Sequence, residues 1–277
     1  MPSTRYVTLA YGGQTAVYRQ SVMLLLSLAA FAPEPYELVV ATDRPECYVW
    51  FGTRVEIQFL DAPLLRSWQG PDAFSMRAKL ELLRAVWPES GSIALLDADV
   101  LARSDLTPFA EGLRTGALFM HRREYTLSRS RRAGNQKLWR ALRRTPVEGY
   151  SPDAEDAMWN SGVVAAPAAD RGLVDETLAL YDRLAAAGLR HFATEQLVQG
   201  LIFGRTGRLR AAEPWFVHYW GNKPGYDAEI ARRLSDAFLE GMSVKEAAAA
   251  YRGAPLDLPR EVRPTHGEKL RRWLSRS

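Results

Sequence analysis

The stretch "SGSIALLDADVLARSDLTPF", Ser90 to Phe109, joins an apolar run to two aspartates separated by one alanine. Ile93 to Leu96 has the length and composition of a buried strand. A carboxylate taken out of water is costly unless it is paired or bound to a metal. Residues two apart in a strand face the same way, roughly 6–7 Å apart along the chain. Asp97 and Asp99 are therefore predicted to share a face at a strand end, where two carboxylates repel. A divalent cation removes that conflict, because it takes oxygen ligands readily. A polar strand terminus is the other reading of the triplet taken alone.

Outward from this stretch, strands and helices alternate. Residues 6–11 read as a first strand closed by Gly12 and Gly13, and residues 14–31 as a mostly apolar helix stopped by Pro33 and Pro35. Residues 37–41 and 55–60 read as strands, 74–87 as a helix, and 92–97 and 117–121 as strands. Further on come a strand over 159–166, helices over 174–187 and 194–203, a last strand over 214–220 and an alanine-rich helix over 227–251. This order predicts an α/β chain with a doubly wound sheet and helices on its faces. Ligands bind such sheets at the carboxyl ends of the strands, which is where Asp97 and Asp99 fall.

With 277 residues there is ample chain for a core, and 47% apolar and 25% charged residues suit a soluble globular protein. The net charge of +4 alone does not point to nucleic acid. One cysteine, Cys47, rules out an internal disulfide or a multi-cysteine zinc site. The N-terminus has no signal-peptide core, and residues 21–33 are shorter than the ~20 a membrane span needs. The expectation is a cytoplasmic protein, with contact at the inner membrane face left open. Two basic stretches bear on that contact. Residues 122–144 hold nine basic residues and one acid, Glu124. They read either as a solvated loop and helix or as a surface for an anionic acceptor or lipid headgroups. Residues 255–277 carry Arg260, Arg263, Lys269, Arg271, Arg272 and Arg276 around Trp273, either a basic interfacial helix or a frayed tail.

The segment "IALLDADVLARSDLTPF" resembles the DxD region of retaining GT-A glycosyltransferases, in particular family 8, which includes glycogenin and bacterial lipopolysaccharide galactosyl- and glucosyltransferases. Four further blocks in the same order carry the resemblance. "SMRAKLELL" (75–83) is similar to a segment with a substrate-contacting lysine, and "MWNSGVVAAP" (158–167) to the N-[SA]-G strand. "ATEQLVQGLIF" (193–203) is similar to the D-Q helix start, and "FVHYWGNKPG" (216–225) to the H-x-x-G-x-x-K-P segment. Together they span about residues 5 to 225. The resemblance implies a GT-A (Rossmann-like) catalytic domain over 1–225, with 226–277 a helical, basic extension packed on it or trailing from it.

The resemblance also implies roles. Asp97, Asp99 and His218 would hold Mn²⁺ or Mg²⁺ with the diphosphate of a nucleotide-sugar. Lys223 would stabilise the departing diphosphate, and Gly221 would let it approach the backbone. Asn160 and Glu195 would bind the donor sugar, with Gln196 beneath the anomeric carbon. Lys79 would reach the donor from the preceding helix; Arg77 is either a second contact or part of a solvated face. Tyr11, beside Gly12, would stack on uracil or serve the core, and Thr42 and Asp43 are further candidates for the base pocket. Two departures stand out: the histidine segment is one residue short and lacks the tryptophan after its proline, and Glu195 replaces the usual aspartate.

The implied reaction is metal-dependent transfer from a nucleotide-sugar, UDP-linked, to an acceptor hydroxyl on a saccharide, lipid-linked molecule or protein, with retention. A sugar nucleotidyltransferase is the first alternative, although "AYGGQTAVYRQ" (10–20) lacks the lysine such enzymes place beside their glycines. A non-enzymatic basic binding module is the second. Its nucleic-acid form is disfavoured, because Tyr125 and Trp139 are the only aromatics in residues 122–144.

Overall fold

The computed structural model describes residues 3–70, 76–145, 147–189 and 191–259. The chain begins with β1 (Thr4–Ala10), α1 (Thr15–Phe31) and β2 (Tyr36–Thr42). A 3-10 segment, Pro45–Arg54, leads to β3 (Val55–Phe59), α2 (Ala62–Gln69) and α3 (Arg77–Ala85). Then come β4 (Ser92–Leu96), β5 (Val100–Ala102), α4 (Thr107–Arg114), β6 (Leu118–Thr126) and α5 (Ala133–Arg144). They are followed by β7 (Ala157–Pro167), α6 (Arg171–Ala186), α7 (Thr194–Arg205), β8 (Leu209–Ala211) and β9 (Phe216–His218). Helices α8 (Lys223–Leu239) and α9 (Val244–Gly253) close the described chain.

Seven strands form one sheet in the order β3-β2-β1-β4-β7-β6-β8. Every neighbouring pair is parallel except the two that involve β7. The chain steps from β1 to β2 on one side and to β4 on the other, so the carboxyl ends of β1 and β4 flank a topological switch point. The antiparallel β7 meets β4 with Val163 opposite Leu96, so its earlier residues, 157–162, run on beyond the end of β4. A separate antiparallel pair, β5 with β9, sets Val100 opposite His218.

The period of two along the central strands feeds both layers. Ala94 and Leu96 of β4, with Val163 and Ala165 of β7, pack into the core shared with α1, α8 and α9. Ile93 and Leu95, with Val164 and Ala166, pack into the core on the α3 side. Buried on both faces, β4 needs the unbroken apolar run that the sequence carries. Helix α1 is apolar nearly all round because the sheet, α8 and α9 enclose it.

Several boundaries differ from expectation. The single helix over 227–251 is two, α8 and α9. The chain turns at Gly241 (φ 65°), and Ser243 starts the second helix with a capping box to Glu246. The last strand, expected over 214–220, is only Phe216–His218, and β6 runs on to Thr126. Residues 133–144 form a helix, held by buried Leu138 and Leu142 with its basic residues outward. The C-terminal basic run from Arg260, and the start of the helix expected from Phe74, lie outside the described residues. Among those described, no helix is long and apolar enough to cross a membrane.

Candidate active site

The two aspartates do not share a strand face. β4 ends at Leu96, and Asp97 to Val100 form a turn closed by the Val100 N–H donating to the Asp97 carbonyl at 3.0 Å. The Asp97 N–H donates to the Gly162 carbonyl at 2.9 Å, which binds this turn to β7. The turn, rather than strand parity, brings the carboxylates together. One ligand atom each from Asp97, Asp99 and His218 lies within 4.8 Å of the others.

His218 arrives from β9, whose pairing with β5 anchors it beside Asp99. Its Nε2 is 3.3 Å from Asp99 Oδ1, and its Nδ1 is 2.8 Å from Asn160 Oδ1. The Gly162 N–H also donates to Asn160 Oδ1, at 3.0 Å, so the oxygen of that amide is the atom facing the imidazole. An oxygen there accepts, so Nδ1 carries a proton and donates. In the neutral ring the Nε2 lone pair then faces a carboxylate. A cation between the two groups would make that contact favourable. A Cβ on Gly162 would stand 2.3 Å from His218 Nδ1, so this position requires glycine.

Each aspartate has its own lysine. Lys79 of α3 is buried with its Nζ 2.7 Å from Asp97 Oδ1, 3.4 Å from Glu195 Oε1 and 3.3 Å from the Ser161 carbonyl. Lys223, the first residue of α8, reaches Asp99 Oδ2 at 2.8 Å. Burial opposes the Lys79 charge, but Asp97 and Glu195 outweigh it and hold the ammonium above its ordinary pKa. Burial pushes Asp99 up, yet His218 and Lys223 hold it well below the usual carboxylate range. Burial also raises Glu195, with Lys79 pulling the other way.

Beyond the metal-type cluster, Ser161 donates to Glu195 Oε2 at 3.0 Å. Glu124 joins Asn160 to Gln196: it accepts from Asn160 Nδ2 and from Gln196 Nε2, both at 3.4 Å. The register of β6 against β7 shifts between Arg123 and Tyr125, and this bulge carries Glu124 to the site. Reading the sequence for known motifs missed Glu124, although its place as the single acid in a basic run was a signal. His121 was also missed as a site neighbour. Its ring stands edge-on to His218, with centroids 5.4 Å apart, and burial, then His218, lowers its pKa to about 3. It therefore adds no charge behind the cluster.

The remaining candidates lie apart or at the rim. Arg77 is not brought to the cluster: its guanidinium is bound to Asp182 and Glu81 and to the Trp68 carbonyl. Tyr11, at the end of β1, packs partly against the α3-side core. Gly12 has φ 98°, a value glycine adopts without strain, and its N–H donates to Asp43 Oδ2 at 3.2 Å. Tyr18 donates to Asp43 Oδ1 at 2.6 Å and accepts from the Gly13 N–H. Asp43 thus shapes the loop over the switch point, and Thr42 is wholly buried at the end of β2. Gly221 lies in the turn between β9 and α8.

The donor set fits a divalent cation. It comprises two carboxylates and an imidazole whose Nε2 is turned toward them by the Nδ1 contact to Asn160. Among the described residues this is the one such group close enough to share an ion.

No family model and no curated protein matches the chain. Among solved structures, it is similar to mouse xyloside xylosyltransferase 1 in its apo form. That match has 14% identity over 76% of this chain and 85% of that chain, with a TM-score of 0.49. It is also similar to the apo structure of WbbM, a bifunctional glycosyltransferase, with 11% identity, 76% of this chain and 38% of that chain covered, and a TM-score of 0.53. The chain thus spans well under half of WbbM. At this identity the likeness to WbbM shows the fold alone, the mixed α/β GT-A fold expected from the sequence.

Proposed function

We propose that the protein is a metal-dependent glycosyltransferase that moves a sugar from a nucleoside diphosphate, UDP in the first instance, to an acceptor hydroxyl. The observation that carries this reading is the convergence of Asp97, Asp99 and His218 within 4.8 Å at the carboxyl end of β4, beside the switch point. A metal held there would neutralise the diphosphate as a Lewis acid. Lys223, half-exposed at the mouth, would add positive charge as the leaving group departs. Glu195 would hold sugar hydroxyls, its buried carboxylate fixed by Ser161 and Lys79. Gln196 donates an N–H from Nε2 to Glu124, and its amide oxygen would then be the atom offered to positive charge developing at the anomeric carbon.

In the retaining course, in keeping with family 8, the bond from C1 to the phosphate oxygen breaks. The acceptor oxygen bonds to C1 on the same face, and its proton passes to the departing phosphate oxygen. We also read the protein as cytoplasmic, with the outward Lys137, Arg140, Arg143 and Arg144 of α5 suited to anionic headgroups at the inner membrane face. The test is UDP release from UDP-hexoses by purified protein with Mn²⁺. The expected result is turnover that stops on chelation and falls at least about a hundredfold in Asp99→Ala. Equal turnover by the variant would refute the role given to the aspartates.

A further inference from the structure

The cluster holds three carboxylates, Asp97, Asp99 and Glu195, and two ammonium groups, Lys79 between Asp97 and Glu195 and Lys223 on Asp99. A divalent cation entering among Asp97, Asp99 and His218 would add positive charge where Lys79 and Lys223 stand at 2.7 and 2.8 Å from the carboxylate oxygens. The two lysines are not equivalent. The Lys79 side chain is 8% exposed and wedged among Asp97, Glu195 and Ser161, so its departure would strand buried charge. The Lys223 side chain is 49% exposed and opens onto solvent at the start of α8. It can leave Asp99 for water without stranding its own charge, but it then gives up a 2.8 Å contact to a buried carboxylate unless another anion takes its place.

We propose that Lys223 is the displaceable counter-ion of Asp99 in the metal-free protein, so that a divalent cation binds well only together with a diphosphate that gives the lysine a new anionic partner. The proposal rests on the donor-site reading above and deepens it. By linkage, the diphosphate then raises the affinity for metal by the same factor as metal raises the affinity for diphosphate. Lys223 thereby guards the aspartates against stray metal ions and makes the complete site appear only when the donor arrives.

The test is a titration of the full chain with Mn²⁺, free ion followed by electron paramagnetic resonance, first without nucleotide and then with saturating UDP after correction for the ion UDP alone retains. Without nucleotide, Lys223→Met is expected to bind Mn²⁺ about tenfold more tightly than the wild type, a coupling of ordinary size. Lys223→Arg, which keeps the charge, is expected to match the wild type. With UDP the order reverses, and the wild type retains the ion about tenfold better than Lys223→Met. Equal or weaker Mn²⁺ binding by Lys223→Met without nucleotide overturns the proposal. Asp99→Asn separates the two levels of the account. If it loses the ion while Lys223→Met equals the wild type, the counter-ion role alone is wrong. If it binds the ion as the wild type does, the metal-site reading beneath it is wrong too.

Discussion

At Asp99 a single carboxylate meets an ammonium on one oxygen and an imidazole on the other. Its environment is set by residues from four places in the sequence: the turn after β4, β9, the start of α8 and, through His218, Asn160 of β7. Glu124 plays a comparable part on the sugar side, where one carboxylate accepts from Asn160 and Gln196. Replacing it with glutamine keeps the volume and removes the charge. Glu124→Gln is expected to lower kcat about tenfold, about 1.4 kcal/mol, the scale of a long hydrogen bond to a charged group. Its urea midpoint is expected to stay that of the wild type. A fall in the midpoint with kcat unchanged would make Glu124 a structural residue only. That Asp97, Asp99, Asn160, Glu195, His218 and Lys223 lie together was legible only from the shared order of several blocks, each modest alone. Glu124 was not, because a bulge carries it to the site and no short pattern announces a bulge.

Among elements, the decisive contact is β7 against β9. The antiparallel β7 brings Gly162 under the His218 ring, with no room for a side chain. Gly162→Ala is expected to cost about 1–3 kcal/mol, the usual scale of overpacking. It is also expected to weaken Mn²⁺ binding in the presence of UDP, because the ring must move away from Asp99. Urea unfolding and a metal titration check both parts, and a variant as stable as the wild type would contradict the close approach. The apolar runs of β1, β2 and β4 and the length of α1 were readable from period and composition. The direction of β7 was not, because its own run, 157–167, looks the same whichever way it is laid. The break between α8 and α9 was hidden by alanine-rich flanks, although Gly241 and the Ser243–Glu246 box carried the signal. The aspartates are brought together by a turn and not by strand parity, because β4 ends at Leu96.

For the molecule as a whole, the fold and the site depend on one arrangement. The parallel strands end at the switch point, where β1 offers the Gly12 loop and β4 leads into the aspartates, while β9 and α8 bring His218 and Lys223 to Asp99. Helices α8 and α9 share the core with α1, which ties the start of α8, where Lys223 stands, to the sheet's own layer. The central claim is that Asp97, Asp99 and His218 hold a divalent cation with a nucleoside diphosphate. Anomalous scattering from crystals grown with Mn²⁺ and UDP tests it most directly. The expected result is a manganese peak bounded by the two carboxylates and His218 Nε2, with the diphosphate beside it and Lys223 turned from Asp99 toward phosphate. Nucleotide bound with no manganese peak among those three residues would contradict the account.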